Sequence, residues 1–188
     1  MKWGLSLGTA VAAYEGEHNA SEVQTRRQAY WSVLCGGFGH VMGNHRLDLS
    51  DPGWQQAMEL AGSVGMQIWG QLFHSRSWYD LIPDQKHEVV KSGLGEFNGL
   101  DYLAAAKTPD GSTVIAYMPT SRTINVDMSK IAGSQNKAWW FDPRNGKAAA
   151  AGIFPASGTH EFPPPGEGDW VLVLDDSAKQ LPTPGGTQ

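Results

Sequence analysis

Two carboxylates stand close together near the amino terminus, in the stretch "AAYEGEHN" at residues 12–19. Glu15 and Glu17 are two positions apart and follow a run of small and apolar residues that we interpret as a strand. Two carboxyl groups at a strand end could act as general acid and nucleophile in glycosidic cleavage, which needs them roughly 5 or 6.5–9.5 Å apart, depending on the stereochemistry. The alternative is that both are solvated loop acids, stabilised by the amino end of the following helix.

A second polar stretch, "GNHRLD" at residues 43–48, ends another predicted strand at residues 38–45. The carboxyl ends of parallel strands meet at one edge of a sheet, where α/β proteins assemble their sites. Asn44, His45, Arg46 and Asp48 could therefore line the same cleft as the two glutamates. They could equally form a polar loop.

The histidines near these strands do not have the spacing of a metal site. His18, His40 and His45 lack an H-E-x-x-H or comparable arrangement and would have to converge from different loops, so we expect no metal and no cofactor. Tyr14 and His18 flank the glutamates and are candidate substrate-binding residues. Trp78 is a further candidate, because aromatic rings can stack on sugars.

The first half of the chain alternates strands and helices. A strand at residues 3–13 precedes a helix that begins with Ser21, and the second strand precedes a long helix with Asp51 as N-cap and Pro52 in its first turn. That helix is predicted to keep one apolar face as far as Leu72. This order is typical of a parallel sheet covered by helices. Since two strands leave apolar faces uncovered, the unit must pack on the C-terminal half or on another copy.

The second half has a different pattern. Short β-branched and aromatic runs are separated by turn signals roughly every 8–12 residues, which indicates a β-sandwich. Trp139 and Trp140 are adjacent in one of these runs, so one should point into the core and the other outward, to stack on a sugar or to pack on a neighbouring element. We expect a βαβα unit at residues 1–83, a sandwich at 84–178 and a flexible tail at 179–188.

The composition excludes several classes of function. The 188 residues include 40% apolar and 18% charged residues and carry a formal charge of −5, so there is no basic excess for binding nucleic acid. No stretch reaches the roughly 20 apolar residues of a membrane helix. We therefore expect neither nucleic acid nor a membrane as a partner. The single cysteine, Cys35, is expected to be a buried, inert thiol.

Several motifs of the chain occur in an order that resembles a known family. They are "YEGEHN", "RRQAYWSVLCGGFGHVMGN", "DPGW", "SRSWYDLIPDQ", "IAYMPT", "AWWFDPRNGKA" and "GDWVLVLDD". Together they are similar to the C-terminal part of the apiosidase-like glycoside hydrolases, which are bacterial (β/α)8-barrel enzymes followed by a β-sandwich often labelled a collagen-binding domain. The resemblance implies an α/β plus all-β fold, with a partial (β/α)8 barrel, present as a βαβα unit, followed by an antiparallel β-sandwich. It also suggests a secreted or periplasmic protein, although this chain shows no clear signal peptide.

The chain departs from the family pattern at one position. In the family a glutamate, the expected nucleophile, usually stands three positions before the Tyr of the "YE" pair, and here that residue is Val11. The proton-donating acid would come from an earlier strand, which we expect this chain to lack. Glu15 and Glu17 match the family motif and are the best remaining catalytic carboxylates.

Two functions from different classes follow from these observations. The first is a glycoside hydrolase-type protein that acts on plant or β-glucan polysaccharide and self-associates to cover its open sheet. The second is a non-catalytic carbohydrate- or matrix-binding sandwich left from a truncated glycosidase.

Overall fold

A parallel pair of strands and three helices come first in the chain. The computed structural model describes residues 11–15, 21–44 and 52–186. The elements of this first unit are β1 (Val11–Glu15), α1 (Glu22–Leu34), β2 (His40–Asn44), α2 (Trp54–Ala57) and α3 (Ala61–His74). The predicted strand–helix–strand–helix order is confirmed, and β1 and β2 are parallel.

The start of α1 is set by its capping residue. The side chain of Ser21 accepts a hydrogen bond from the backbone N–H of Gln24, and its carbonyl accepts a bond from the hydroxyl of Thr25. The first of these bonds satisfies a backbone N–H that the first helical turn leaves without a partner. The predicted helix start at Ser21 is therefore confirmed.

The predicted long second helix is wrong, because the structure has two helices there. Leu60 adopts an extended conformation with ψ 151° and serves as the N-cap of α3. At the break, the carbonyl of Ala57 accepts from the hydroxyl of Ser63 at 3.0 Å and from the backbone N–H of Leu60 at 3.4 Å, which connects the end of α2 to the start of α3. α2 begins after Gly53, and the predicted cap Asp51 lies outside the described residues.

The second half of the chain forms two antiparallel sheets packed face to face. The six-stranded sheet has the order β3-β5-β6-β11-β8-β9 and the three-stranded sheet the order β10-β7-β4. The strands are β3 (Ile82–Pro83), β4 (Val90–Ser92), β5 (Ala104–Lys107), β6 (Thr113–Met118), β7 (Ile124–Asp127), β8 (Gln135–Phe141), β9 (Ala148–Pro155), β10 (Thr159–Phe162) and β11 (Trp170–Asp176). One buried apolar core lies between the two sheets. The fold is therefore a βαβα unit followed by an antiparallel β-sandwich.

The helices α1 and α3 cover the outer face of the six-stranded sheet. Tyr30 of α1 stacks on Tyr117 of β6, with ring centroids 4.4 Å apart and planes inclined by 8°, and it also contacts Phe73 of α3. Trp139 joins this second core, whereas Trp140 packs in the core between the sheets. The outward tryptophan thus packs on a neighbouring element, and the first unit packs on the C-terminal half of its own chain.

Two buried ion pairs connect the helices to the sandwich. The guanidinium of Arg26 in α1 donates to both carboxylate oxygens of Asp169, at 2.6 and 3.0 Å. The hydroxyl of Tyr117 donates to the same carboxylate at 3.1 Å. Beyond α3, the guanidinium of Arg76 donates to Asp175 at 3.0 and 2.7 Å. Bidentate, hydrogen-bonded pairs of this kind are the arrangement in which buried charges are tolerated.

The chain end that the sequence predicts to be a flexible tail contacts the first unit. The guanidinium of Arg76 donates to the carbonyl of Pro182 at 3.0 Å, and the backbone N–H of Gly185 donates to the hydroxyl of Ser75 at 3.1 Å. Pro182 and Gly185 therefore lie beside the residues that directly follow α3. Such contacts depend on residues more than 100 positions apart, which a local composition pattern does not report.

The Arg26–Asp169 pair should contribute strongly to stability. Replacing Asp169 with Asn leaves the buried guanidinium of Arg26 without a countercharge, so we expect the free energy of unfolding to fall by about 3 kcal/mol. Urea denaturation followed by tryptophan fluorescence measures this change. The control is Lys179→Gln, which breaks an exposed pair with Asp110 and should cost about 0.5 kcal/mol or less. Equal effects of the two substitutions would contradict the prediction.

Candidate active site

The carboxyl ends of β1 and β2 form one edge. In the parallel register Glu15, the last residue of β1, is opposite Asn44, the last residue of β2. Tyr14 is one position earlier on β1, opposite Gly43. Adjacent strands are about 4.8 Å apart, so the structure brings the backbones of the predicted residues Glu15 and Asn44 side by side.

The position of Val11 along β1 differs from that of Glu15. Val11 is the first residue of the strand and is opposite His40, the first residue of β2. Four residue steps of a strand span about 13 Å, so Val11 and Glu15 lie at opposite ends of β1. Sites on parallel sheets form at the carboxyl ends of strands, which is the end that carries Glu15.

Five of the predicted site residues lie outside the described residues. They are Glu17, His18, His45, Arg46 and Asp48. Their roles in catalysis or substrate binding stay predictions. Within the described parts of the chain, no group of three or more His, Cys, Asp or Glu side chains could hold a metal ion.

Trp78 lies with the helix–sheet core. It is half-buried in a single 3-10 turn beyond α3 and packs partly against the core between the helices and the six-stranded sheet. Its ring contacts that of Tyr79 edge to face, with centroids 6.3 Å apart. Earlier in α3, Trp69 contacts His40 at the amino end of β2. The sugar contact predicted for Trp78 stays a prediction.

Helix α1 joins the β1–β2 pair to the sandwich. The indole N–H of Trp31 in α1 donates to the carbonyl of Tyr102 at 2.9 Å. The guanidinium of Arg27 donates to the carbonyl of Leu100 at 3.3 Å. The Arg27 guanidinium also lies 5.3 Å from the centre of the Trp31 ring, a cation–π contact. Together with the Arg26 pair, these bonds fix the helix that follows β1.

Cys35 ends α1 and has a low-reactivity thiol. It is the C-cap residue, is half-buried, and is a free thiol. Burial raises the pKa of Cys35 to about 11, since a thiolate is poorly solvated there. The expected inert thiol is thus supported by its environment, although the side chain is only partly buried.

The geometry defines a class of protein: a βαβα piece of an α/β barrel with polar residues at its strand ends, fixed to a β-sandwich. Residues 9–80 match the family described as "Apiosidase-like, catalytic domain", and residues 82–175 match "Putative collagen-binding domain of a collagenase". The second match covers half of the chain. The chain therefore belongs to the family of this putative collagen-binding domain. The residues before the domain match the apiosidase-like catalytic domain, which is the order that the sequence motifs predict.

Solved structures that are similar to the chain include two glycoside hydrolases. One is named "Glycoside hydrolase" and is 29% identical, with a TM-score of 0.75 over 87% of this chain. The other is a glycoside hydrolase family 5 protein from Bacteroides vulgatus, 27% identical, with a TM-score of 0.77 over 92% of this chain. The present chain spans 40% of the length of each of these structures. A comparison with curated proteins gives no match.

Some residues that fix the site were not assigned a role from the sequence. Asp169 and Asp175 flank the apolar run "WVLVL" at residues 170–174, and their partners Arg26 and Arg76 lie far away in the chain. Their position beside a continuous apolar run could have indicated that these two acidic residues are buried. A strand with such a run is covered on both faces, and a buried carboxylate needs a partner. Their partners could not be identified from spacing alone.

The raised pKa of Cys35 predicts a distinctive pH profile of alkylation. The thiolate is the reactive form, so the rate with iodoacetamide should rise about tenfold per pH unit from pH 8 to pH 10 without levelling off. Glutathione is the control, and its rate should level off above about pH 9. Mass spectrometry measures the rate, and circular dichroism checks that the fold is intact at pH 10. A plateau for Cys35 near pH 9 would contradict the burial described above.

Proposed function

We propose that the chain is a glycoside hydrolase-type, carbohydrate-active protein that acts on plant or β-glucan polysaccharide through Glu15 and Glu17. The observation that carries this proposal is the register of β1 and β2. It places Glu15, and not position 11, at the carboxyl edge of the sheet, opposite Asn44. The match of this unit to an apiosidase-like catalytic domain and the two similar glycoside hydrolases support a carbohydrate substrate.

The chemistry follows from the residue types at this edge. One carboxyl group would protonate the glycosidic oxygen of the leaving group, and the other would attack the anomeric carbon or activate a water molecule. Asn44, His45 and Arg46 would donate hydrogen bonds to sugar hydroxyls. Tyr14 and His18 would contact the ring bound next to Glu15.

The packing of α1 supports the proposal, because it limits the movement of the helix that comes after the Glu15 edge. Catalysis by two carboxyl groups requires that both are held close to a productive geometry. β1 is followed directly by the segment that leads to α1, and α1 is fixed by the Arg26–Asp169 pair and by the hydrogen bond from Trp31. A substitution that loosens α1 should therefore lower activity without touching the substrate.

A second function is favoured by the sandwich itself. Residues 82–175 match a domain described as a putative collagen-binding domain, which is a binding domain and not a catalytic one. In this alternative, the chain is a non-catalytic carbohydrate- or matrix-binding module whose sandwich carries the function. The assay below separates the two functions.

Removing the two carboxylates should abolish hydrolysis. We expect the Glu15→Gln/Glu17→Gln variant to release reducing sugar from soluble β-glucan, xylan and pectin at least about 100-fold more slowly than the unaltered protein, since acid–base catalysis contributes factors of about 10² to 10⁴. The matched control is Glu59→Gln, an exposed acid beyond α2, which should leave the rate unchanged.

Two results would contradict hydrolysis by these residues. Equal rates in both proteins would show that other groups catalyse the reaction. If no protein releases sugar, but all of them are retained on a column of immobilised polysaccharide, the binding-module function is favoured instead.

We also propose that the chain self-associates through the open side of its first unit. Among the described residues, β1 and β2 pair with no further strand. Apolar side chains nearby are exposed, including Phe38 at 71% and Val41 at 57%, and Met58 and Val64 on the helical side. A complete barrel would cover such a surface, so a second copy of the chain is a suitable partner.

Charged substitutions on this surface should shift the equilibrium toward monomer. We expect sedimentation velocity to show a species larger than 20.4 kDa for the unaltered protein and mainly monomer for Phe38→Glu/Val41→Glu. Tyr79→Glu, an exposed aromatic beyond α3, serves as the control and should keep the larger species. A monomer at all concentrations in the unaltered protein would remove the proposal.

A further inference from the structure

A pocket of about 300 Å³ lies where the end of α1 meets the sandwich. We call it the junction pocket. Its walls include Cys35, Asp84, His87, Leu94, Phe97 and Tyr102. α1 begins after the carboxyl end of β1 and ends before the amino end of β2, so the junction pocket is at the other end of α1 from the Glu15 edge. It is therefore separate from the candidate active site.

Three aromatic rings line the junction pocket. The rings of Phe97 and Tyr102 meet edge to face, with centroids 5.5 Å apart and planes inclined by 85°. The ring of His87 meets Tyr102 in the same manner, at 6.4 Å and 70°. Phe97 is 65% exposed, so most of its apolar ring is in contact with water. Rings arranged in this way offer an apolar contact surface to a ligand.

The loops that carry these rings are held in place. The guanidinium of Arg122 donates to the carbonyl of Gly93 at 2.6 Å, to the Asp101 carboxylate at 3.1 Å and to the Asp101 carbonyl. These bonds span the segment that contains Phe97. A binding surface that is fixed before the ligand arrives loses less entropy on binding.

His87 has a strained backbone that a second set of bonds maintains. Its φ of 52° lies in the left-handed region, which is unfavourable for a residue other than glycine. Asp84 stabilises this conformation: its carbonyl accepts from the N–H of His87, and its carboxylate accepts from the N–H groups of Glu88, Val89 and Val90, at 2.7, 3.0 and 2.9 Å. Strain maintained in this way is typical of functional sites.

The polar groups of the junction pocket suit a neutral ligand. Among the described residues of its walls, the only carboxylate is that of Asp84, which is already bonded to three backbone N–H groups and so offers little to a cation. The hydroxyl of Tyr102 and the imidazole of His87 have no hydrogen-bond partner within the described part of the chain. Both can donate and accept, which matches ligand hydroxyl groups.

We propose that the junction pocket binds one neutral sugar ring of a glycan, with Phe97 and Tyr102 contacting the apolar face of the ring and Tyr102 and His87 bonding its hydroxyls. A volume of about 300 Å³ is at the lower limit for ligand pockets, which suits a single ring. A sugar has the required combination of an apolar face and a hydroxyl rim. The choice of a sugar over other neutral rings rests on the carbohydrate function proposed above.

Cys35 provides a local readout for this site, because it lines the junction pocket and is the only cysteine. We would measure its alkylation by iodoacetamide at pH 9 with and without cellotetraose or xylotetraose. If a probe binds in the junction pocket, a concentration ten times its Kd should slow alkylation about tenfold by mass action. Isothermal titration calorimetry on the same samples gives the Kd.

Variants separate this site from the rest of the surface. Phe97→Ala should remove the protection of Cys35, and Tyr102→Phe should weaken it while keeping the ring. The control Tyr79→Ala changes an exposed aromatic outside the junction pocket and should keep full protection. Each variant is compared with itself with and without the probe, so a change in the reactivity of the free protein does not affect the result.

The outcomes distinguish the two proposals. If both probes fail to protect Cys35, or if calorimetric binding is unchanged in Phe97→Ala, the junction pocket is not a sugar site, whatever the result for hydrolysis. If Cys35 is protected and protection is lost in Phe97→Ala, the site stands even where the protein hydrolyses no polysaccharide. Protection that persists in Glu15→Gln/Glu17→Gln shows that the two sites are independent.

Discussion

The packing of α1 and α3 on the six-stranded sheet is the constraint on which the rest of the structure depends. β6 is buried along its whole length, because one face meets the second sheet and the other meets the helices. The stacked rings of Tyr30 and Tyr117 are fully buried on the helix-covered face. Without the helices this face would expose a continuous apolar surface, and without the sheet the strands β1 and β2 would lose the helix that fixes them. The two units therefore share one core.

The buried ion pairs give that packing a defined orientation. Asp169 directly precedes β11 and Asp175 is near its end, so the two acidic partners lie at opposite ends of one strand. Arg26 and Arg76 approach these two positions from the first unit. Apolar contact alone is non-directional, whereas two bidentate pairs at separate points allow only one placement of the helices without leaving a buried charge unpaired.

The sequence was informative where the deciding interactions are local. The cap at Ser21 depends on residues within one turn, and the opposite faces of Trp139 and Trp140 follow from strand alternation. The break at Leu60 was missed because the apolar spacing continues across it. The pairing of Arg26 with Asp169 spans 143 positions, so no local pattern could reveal it.

The same distinction applies to the two candidate sites. Glu15 and Asn44 were expected at one edge, because parallel strands place their carboxyl ends together. The junction pocket was not foreseen, since His87, Phe97 and Tyr102 come from a turn-rich segment whose path is fixed by Arg122 and Asp84. The 13 residues of α1 separate the two sites by about 20 Å. Since they share no described contact, their contributions to glycan binding should be independent, and a longer glycan could gain affinity by occupying both.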